Sequence, residues 1–291
     1  MRRPNARLVG LVVIVAVLAI VGVAAWWLQP QPLLPQAAAS LASTPDVAFR
    51  DAGVRLEWTP ATAPPTTGLI VYPGAKVPPE AYGPLAQAIA REGYLVVIED
   101  MPLNLAVLGI GRADDAIAAH PEIRHWAIGG HSLGGSMAAQ YAADHPDAVE
   151  ALAFWASYAA TDLSATGLAV MSTWGSLDAG AARMSGPEAH ASVPADAVFV
   201  EISGGNHEQM GWYTGQPNDP PAAISREDQQ RSVAASTVDL LRGLDAAGTA
   251  APSAGPSAAP ASTTSPGPSS SASGAASAAP SAAASGASAA P

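Results

Sequence analysis

The sequence predicts an α/β domain, doubly wound, with helices on both faces of a mostly parallel sheet. Three observations carry that expectation. Short apolar runs alternate along the chain with amphipathic, alanine-rich stretches. The runs are continuously apolar rather than alternating, as strands covered on both faces should be. Glycine-rich breaks fall where a run hands over to a helix.

Each element has its own signal. "GLIVYPG", residues 68–74, is a β-rich run ending in a turn signal. Residues 80–93 place apolar side chains at helical spacing, with Gly93 just past the end. "YLVVIED", 94–100, reads as the next strand, 111–122 as a helix and "HWAIGG", 125–130, as a strand. A helix follows Ser132. Strands are expected at 149–157, 168–176 and 198–203, and a last helix at 226–242. The domain covers residues 48–245. It holds no cysteine, so packing alone must stabilise it, and about 200 residues suffice for that.

Both ends lie outside this domain. Residues 8–28, "LVGLVVIVAVLAIVGVAAWWL", carry no charge. At about 1.5 Å per residue the run reaches about 30 Å, roughly the hydrocarbon thickness of a bilayer. Arg2, Arg3 and Arg7 precede it, and no basic residue follows until Arg50. That asymmetry predicts a cytoplasmic N-terminus and an exported remainder. Trp26 and Trp27 fall where interfacial aromatics would lie. Residues 1–28 therefore read as cytoplasmic arginines and a transmembrane helix. A cleaved signal peptide is the alternative, with Ala37, Ala38 and Ala39 offering a cleavage site. Residues 29–47 read as a linker. Residues 246–291 are almost entirely Ala, Ser, Pro, Gly and Thr, too poor in apolar surface to offset the entropy of ordering, and predict a disordered tail.

The net charge is −11, and after the three leading arginines ten basic residues face 24 acidic ones. With no basic stripe and no run of stacking aromatics, nucleic acid and anionic lipid are poor partners for the domain. The sequence does not set the oligomeric state.

Chemistry in such a sheet belongs at the carboxyl ends of the strands. Ser132 sits there, in "GHSLG", residues 130–134, which fits the G-x-S-x-G turn that lifts a nucleophile between a strand and a helix. A Cβ at Gly130 or Gly134 should collide with the neighbouring element. The helix start also offers free N–H groups and a partial positive charge beside the hydroxyl.

A serine needs a general base, and the order along the chain should be serine, acid, histidine. His207 follows the 198–203 strand directly, whereas no strand precedes His190. Asp178 follows the 168–176 strand and is the favoured acid, with Asp162 the runner-up; Asp196 falls at the wrong end of the last strand. His131 should point to the other side of the turn from Ser132 and be structural. His120, His125 and His145 read as surface or capping residues. For an oxyanion, two N–H donors are needed. Leu133 gives one, and the "YPGAKV" turn, residues 72–77, gives the other, from Ala75 or else Gly74. Lys76 in that turn reads as a solvated charge. Met101, Tyr158, Met210, Trp212 and Tyr213 lie near expected strand ends and are candidates for the substrate pocket, while Trp155 reads as core.

Taken in order, "YPGAKV", "MPLNLAVLG", "GGHSLGGSMAA", "FWASY", "GSLDAG" and "GGNHEQMGWY" make the chain resemble the α/β-hydrolase superfamily. More narrowly it is similar to small bacterial dienelactone-hydrolase-like proteins. The resemblance spans residues 68–241. It implies the α/β-hydrolase fold and hydrolysis of an ester or related acyl bond without metal or organic cofactor. It also implies a Ser132, Asp178 and His207 triad, with Ala75 and Leu133 as the oxyanion pair. Two departures stand out. Dienelactone hydrolases use a cysteine nucleophile, which this chain lacks, and no insertion is large enough for a lipase-type lid.

The expectation is thus an open-site serine hydrolase acting on a small-molecule ester. It would be extracytoplasmic, held at the cell membrane by its N-terminal helix or secreted after cleavage. A non-catalytic binding module and an acyltransferase or amidase using the same triad stay open.

Overall fold

In a computed structural model that describes residues 6–249, β1 (Val47–Asp51) and β2 (Arg55–Pro60) form an antiparallel hairpin. Next come β3 (Thr67–Tyr72), α3 (Gly83–Arg91), β4 (Leu95–Glu99), α4 (Arg112–Ala119) and β5 (His125–His131). They are followed by α5 (Leu133–Asp144), β6 (Ala151–Trp155), β7 (Ala169–Gly175), α6 (Ala181–Met184), α7 (Pro187–Ala191), β8 (Val198–Ile202) and α8 (Arg226–Thr249). Two helices precede the sheet, α1 (Ala6–Trp27) and α2 (Pro35–Ala39). The strand order is β1-β2-β4-β3-β5-β6-β7-β8. β2 is antiparallel to β4, and every later pairing is parallel.

The continuous apolar runs have the expected cause. Along β3, Leu69 and Val71 enter one core while Ile70 and Tyr72 enter the other. β6 does the same, with Ala151, Ala153 and Trp155 on one side and Leu152 and Phe154 on the other. The first core takes Leu85 and Ile89 of α3 and Val233 and Leu241 of α8; the second takes Ala113 and Ala116 of α4 and Ala138 and Ala139 of α5. Each fully buried Leu or Ile contributes about 1.5–3 kcal/mol of hydrophobic stabilisation.

Several features depart from the sequence reading. The β1–β2 hairpin carries a buried charge network. Glu57 accepts from Arg55 Nε at 2.7 Å and meets His120 Nε2 at 3.3 Å. Burial opposes ionisation of Glu57, but the His120 and Arg55 bonds outweigh it and hold its pKa near 2. His120 is therefore buried and paired rather than a surface group. Residues 29–47 lie along the domain. Leu34 N–H donates to the Trp212 carbonyl at 3.0 Å, Leu33 bridges Tyr213, Ala37 is fully buried, and Trp58 Nε1 donates to the Ser40 carbonyl at 3.0 Å. The last helix runs to Thr249, beyond the expected end of the domain, because the alanines after Asp245 favour helix. Residues 250–291, most of the expected disordered tail, lie outside the described residues.

A helix, Ala6–Trp27, stands where the transmembrane helix is expected. Among the described residues no helix is long and apolar enough to cross a membrane. The expected span is therefore not borne out by the described residues.

Candidate active site

Ser132 occupies the break between β5 and α5 with φ 53° and ψ −124°, a region that L-residues enter only under constraint. The constraint is glycine packing. A Cβ on Gly130 would lie 2.7 Å from the Gly134 carbonyl carbon and 2.8 Å from the Gly135 nitrogen. A Cβ on Gly134 would run into the Tyr72 and Pro73 carbonyls at the end of β3. The turn is pinned from the neighbouring strand as well, with Ser132 N–H donating to the Trp155 carbonyl at 3.1 Å. Ser157 Oγ donates to the Ser132 carbonyl at 2.6 Å.

The structure brings the other two expected residues to the same place. Asp178, on the turn after β7, and His207, on the turn after β8, share a hydrogen bond of 2.7 Å between Oδ2 and Nδ1. The second oxygen of Asp178 accepts the Gly180 N–H at 2.6 Å. Its carboxylate is almost wholly buried, at 2% side-chain exposure, and the His207 ring is at 14%. Ser132, Asp178 and His207 line one cavity of about 290 Å³. Among the described residues no hydrogen bond joins Ser132 Oγ to the imidazole. Such bonds are often long without substrate. The alternative residues are engaged elsewhere. Asp162 is exposed and caps the Ser164 N–H at 2.9 Å, Asp196 lines a separate cavity, and His190 stacks on Phe199.

A further carboxylate supports the histidine loop. Asp219 accepts His207 N–H at 3.1 Å and Glu208 N–H at 2.8 Å. Burial raises its pKa against the pull of those two N–H groups. Glu208 in turn accepts from Gly215 and Gln216 N–H and pairs with Arg226 at 3.2 Å. Arg226 also donates to the Glu208 and Gly211 carbonyls. No sequence signal singled these residues out, because their partners are seven or more positions away.

His131 does more than face away from Ser132. It is buried, its Nδ1 lies 2.9 Å from Tyr82 Oη, and its ring centre is 4.5 Å from that of His207. Tyr82 Oη also accepts the Gly74 N–H at 2.9 Å. The tyrosine proton is then free for His131 Nδ1, so a neutral His131 carries its own proton on Nε2. Burial first, and the neighbouring His207 second, push the His131 pKa well down, which keeps the ring neutral. Its Nε2 makes no hydrogen bond of normal geometry among the described residues, although the His207 main chain is close enough to favour its charged form slightly.

These contacts revise the expected oxyanion donors. The Gly74 N–H is occupied by Tyr82 and is not available. Leu133, the first residue of α5, lines the cavity and has an N–H that the helix leaves unpaired. Ala75 N–H has no acceptor among the described residues. Its turn is held by Lys76 N–H donating to the Asn104 carbonyl at 2.7 Å. The Lys76 ammonium sits over the Trp27 ring at 5.1 Å rather than in solvent alone.

Most of the expected pocket residues lie away from this cavity. Tyr158 lines the cavity. Met101, Met210, Trp212 and Tyr213 do not. Met101, Met210 and Tyr213 belong to the two cores, and Trp212 is buried with its N–H on the Ala81 carbonyl at 2.7 Å. After His207 the chain turns back into the protein, so neighbours in sequence are not neighbours of the cavity. Its other walls are Ser136, Ala156, Ser157, Gly180, Arg183 and Met184.

A parallel sheet covered on both faces, with a serine on a strained turn and an Asp–His pair at neighbouring strand ends, defines a hydrolase of the α/β class. The sequence comparison agrees. The pattern of the alpha/beta hydrolase family matches residues 68–231, more than half of the chain, and the chain belongs to that family. Among solved structures it is similar to a predicted CIB-like hydrolase from Thermoplasma acidophilum, with 19% identity and a TM-score of 0.49. The match covers 68% of this chain and 98% of the other. No curated protein matches the chain.

Proposed function

We propose that the protein is a serine hydrolase that cleaves an ester or related acyl bond through an acyl-enzyme. One observation carries this reading. The Asp178–His207 bond of 2.7 Å opens onto the same cavity as Ser132, whose backbone is held at φ 53°.

Each group then has a role. Asp178 holds Nδ1–H of His207, which fixes the tautomer and leaves Nε2 to take the Ser132 proton as the oxygen attacks the carbonyl carbon. The imidazolium that forms is stabilised by the buried carboxylate. The charge on the carbonyl oxygen is taken by the N–H groups of Leu133 and Ala75, the former at the positive end of α5. His207 returns the proton to the leaving group, and water repeats the sequence on the acyl-enzyme.

The proposal includes an extracytoplasmic setting, supported by Arg2, Arg3 and Arg7 on one side of the uncharged run at 8–28. Protease accessibility on intact cells tests that part. The catalytic part is tested with a fluorophosphonate probe on the full chain. The expected result is a stoichiometric adduct on Ser132. A folded protein that takes up no label refutes the assignment.

A further inference from the structure

Resting on the hydrolase reading, we infer that Arg183 is a specificity residue, and that the preferred substrate carries an anionic oxygen group, such as a carboxylate, besides the bond that is cleaved.

Arg183 lines the catalytic cavity. It lies in the short helix α6, directly after the Asp178–Gly180 turn, where Asp178 Oδ1 takes the Gly180 N–H at 2.6 Å. The next residue, Met184, is buried. The guanidinium is therefore carried on a segment fastened to the acid of the triad. Its carbon sits 4.6 Å from the centre of the Tyr158 ring, on the cavity wall. Stacking of this kind positions the plane and leaves its N–H edges open for a planar, two-oxygen partner.

No protein group fills that role. Among the described residues Arg183 has no ion pair and its guanidinium donates no hydrogen bond. Asp178 lines the same cavity, but both of its oxygens are engaged, by His207 and by Gly180. Apart from the Leu133 N–H, assigned above to the oxyanion, and the Ser132 and His207 side chains assigned to the chemistry, the cavity's other polar groups offer little to an anion. Ser157 Oγ donates to the Ser132 carbonyl at 2.6 Å and Ser136 Oγ to the Tyr158 carbonyl at 2.8 Å, so their protons are committed. Arg183 is the one arginine or lysine among the lining residues. The chain as a whole carries −11 and so discourages anions at long range. An exposed, unpaired guanidinium on the cavity wall of such a protein selects an anion at short range, through charge-assisted hydrogen bonds.

The test compares two esters of the same shape on the full chain. Monoethyl glutarate carries a carboxylate, and ethyl glutaramate carries an uncharged amide in its place. The wild type is expected to favour the carboxylate ester in kcat/KM by about tenfold or more. Arg183→Gln is expected to bring that ratio to about one, and Arg183→Glu to invert it. A wild type with no preference, or a ratio that Arg183→Gln leaves unaltered, overturns the inference. If Ser132 takes the fluorophosphonate label but neither ester is cleaved, this inference falls while the hydrolase reading stands. Failure of Ser132 to label removes both.

Discussion

Tyr82 is the residue through which two parts of the site are joined, and Tyr82→Phe isolates that link. The side chain is fully buried, and its hydroxyl makes two bonds of 2.9 Å, accepting from Gly74 N–H and meeting His131 Nδ1. Phenylalanine fills the same space, so no cavity of consequence forms. What remains are a buried N–H and a buried ring nitrogen without partners. Each such orphan costs about 1–3 kcal/mol, and the pair is expected to cost about 2–6 kcal/mol of total stability. That is a large part of the ~5–15 kcal/mol typical of a domain. Urea unfolding of wild type and variant reads it as a fall in midpoint at constant m-value. The same change loosens the turn that carries the proposed Ala75 donor and frees the His131 tautomer beside His207. A fall in kcat larger than any change in KM should accompany the loss of stability. A variant within about 0.5 kcal/mol of wild type, with kcat unaltered, refutes the coupling.

Three further outcomes follow from the site and its surroundings. Ser132→Ala should abolish fluorophosphonate labelling and reduce ester turnover to the residual ~10³–10⁴-fold over water that other broken triads retain; near-normal kcat in steady-state assays would remove the nucleophile. Asp178→Asn should lower kcat by up to ~10⁴, whereas Asp162→Asn should leave it in place, and the reverse result would reassign the acid. Glu99, buried at the end of β4 with one oxygen unpaired, has its pKa pushed up to about 8 by burial, against the pull of Arg55 and Arg112. The folded state holds that proton more tightly than the unfolded chain, so stability is intact below about pH 4.5 and is lost as pH rises through 8. Glu99→Gln should therefore melt closer to wild type at pH 5 than at pH 8, where it should be the more stable; equal differences at both pH values would contradict the assignment.

The parts of the molecule that were legible in the sequence are those fixed by local chemistry. The Ser132 turn needs Gly130 and Gly134 because the packing there admits no Cβ, and that demand is written within five residues. The pairing of Asp178 with His207 follows from strand order, since both residues sit just after parallel strands at adjacent positions in the sheet. The β1–β2 hairpin escaped because its buried face carries Arg55 and Glu57, and only the distant His120 makes that burial tolerable. The cavity escaped for a related reason. Met210, Trp212 and Tyr213 are large, apolar and next to His207 in the chain, but Trp212 N–H bonds Ala81 and the loop returns to the core. Arg183, on the short helix α6, and Ser157, on the segment after β6, reach the cavity in directions that depend on contacts far along the chain. Gly74 had the right backbone freedom for an oxyanion donor, and only the position of Tyr82 shows its N–H to be taken.

The segment before β1 has a practical consequence. Leu33 and Leu34 are laced to Tyr213 and Trp212, a few residues from His207, and Ser40 receives the indole of Trp58. A recombinant fragment trimmed to the start of the sheet would lose the partners of Trp212 and Tyr213, on the same loop as His207. Inactivity in such a fragment would report on the trimming and not on the chemistry. Cutting this lead segment would free Trp212 and Tyr213, and with them the loop that carries His207.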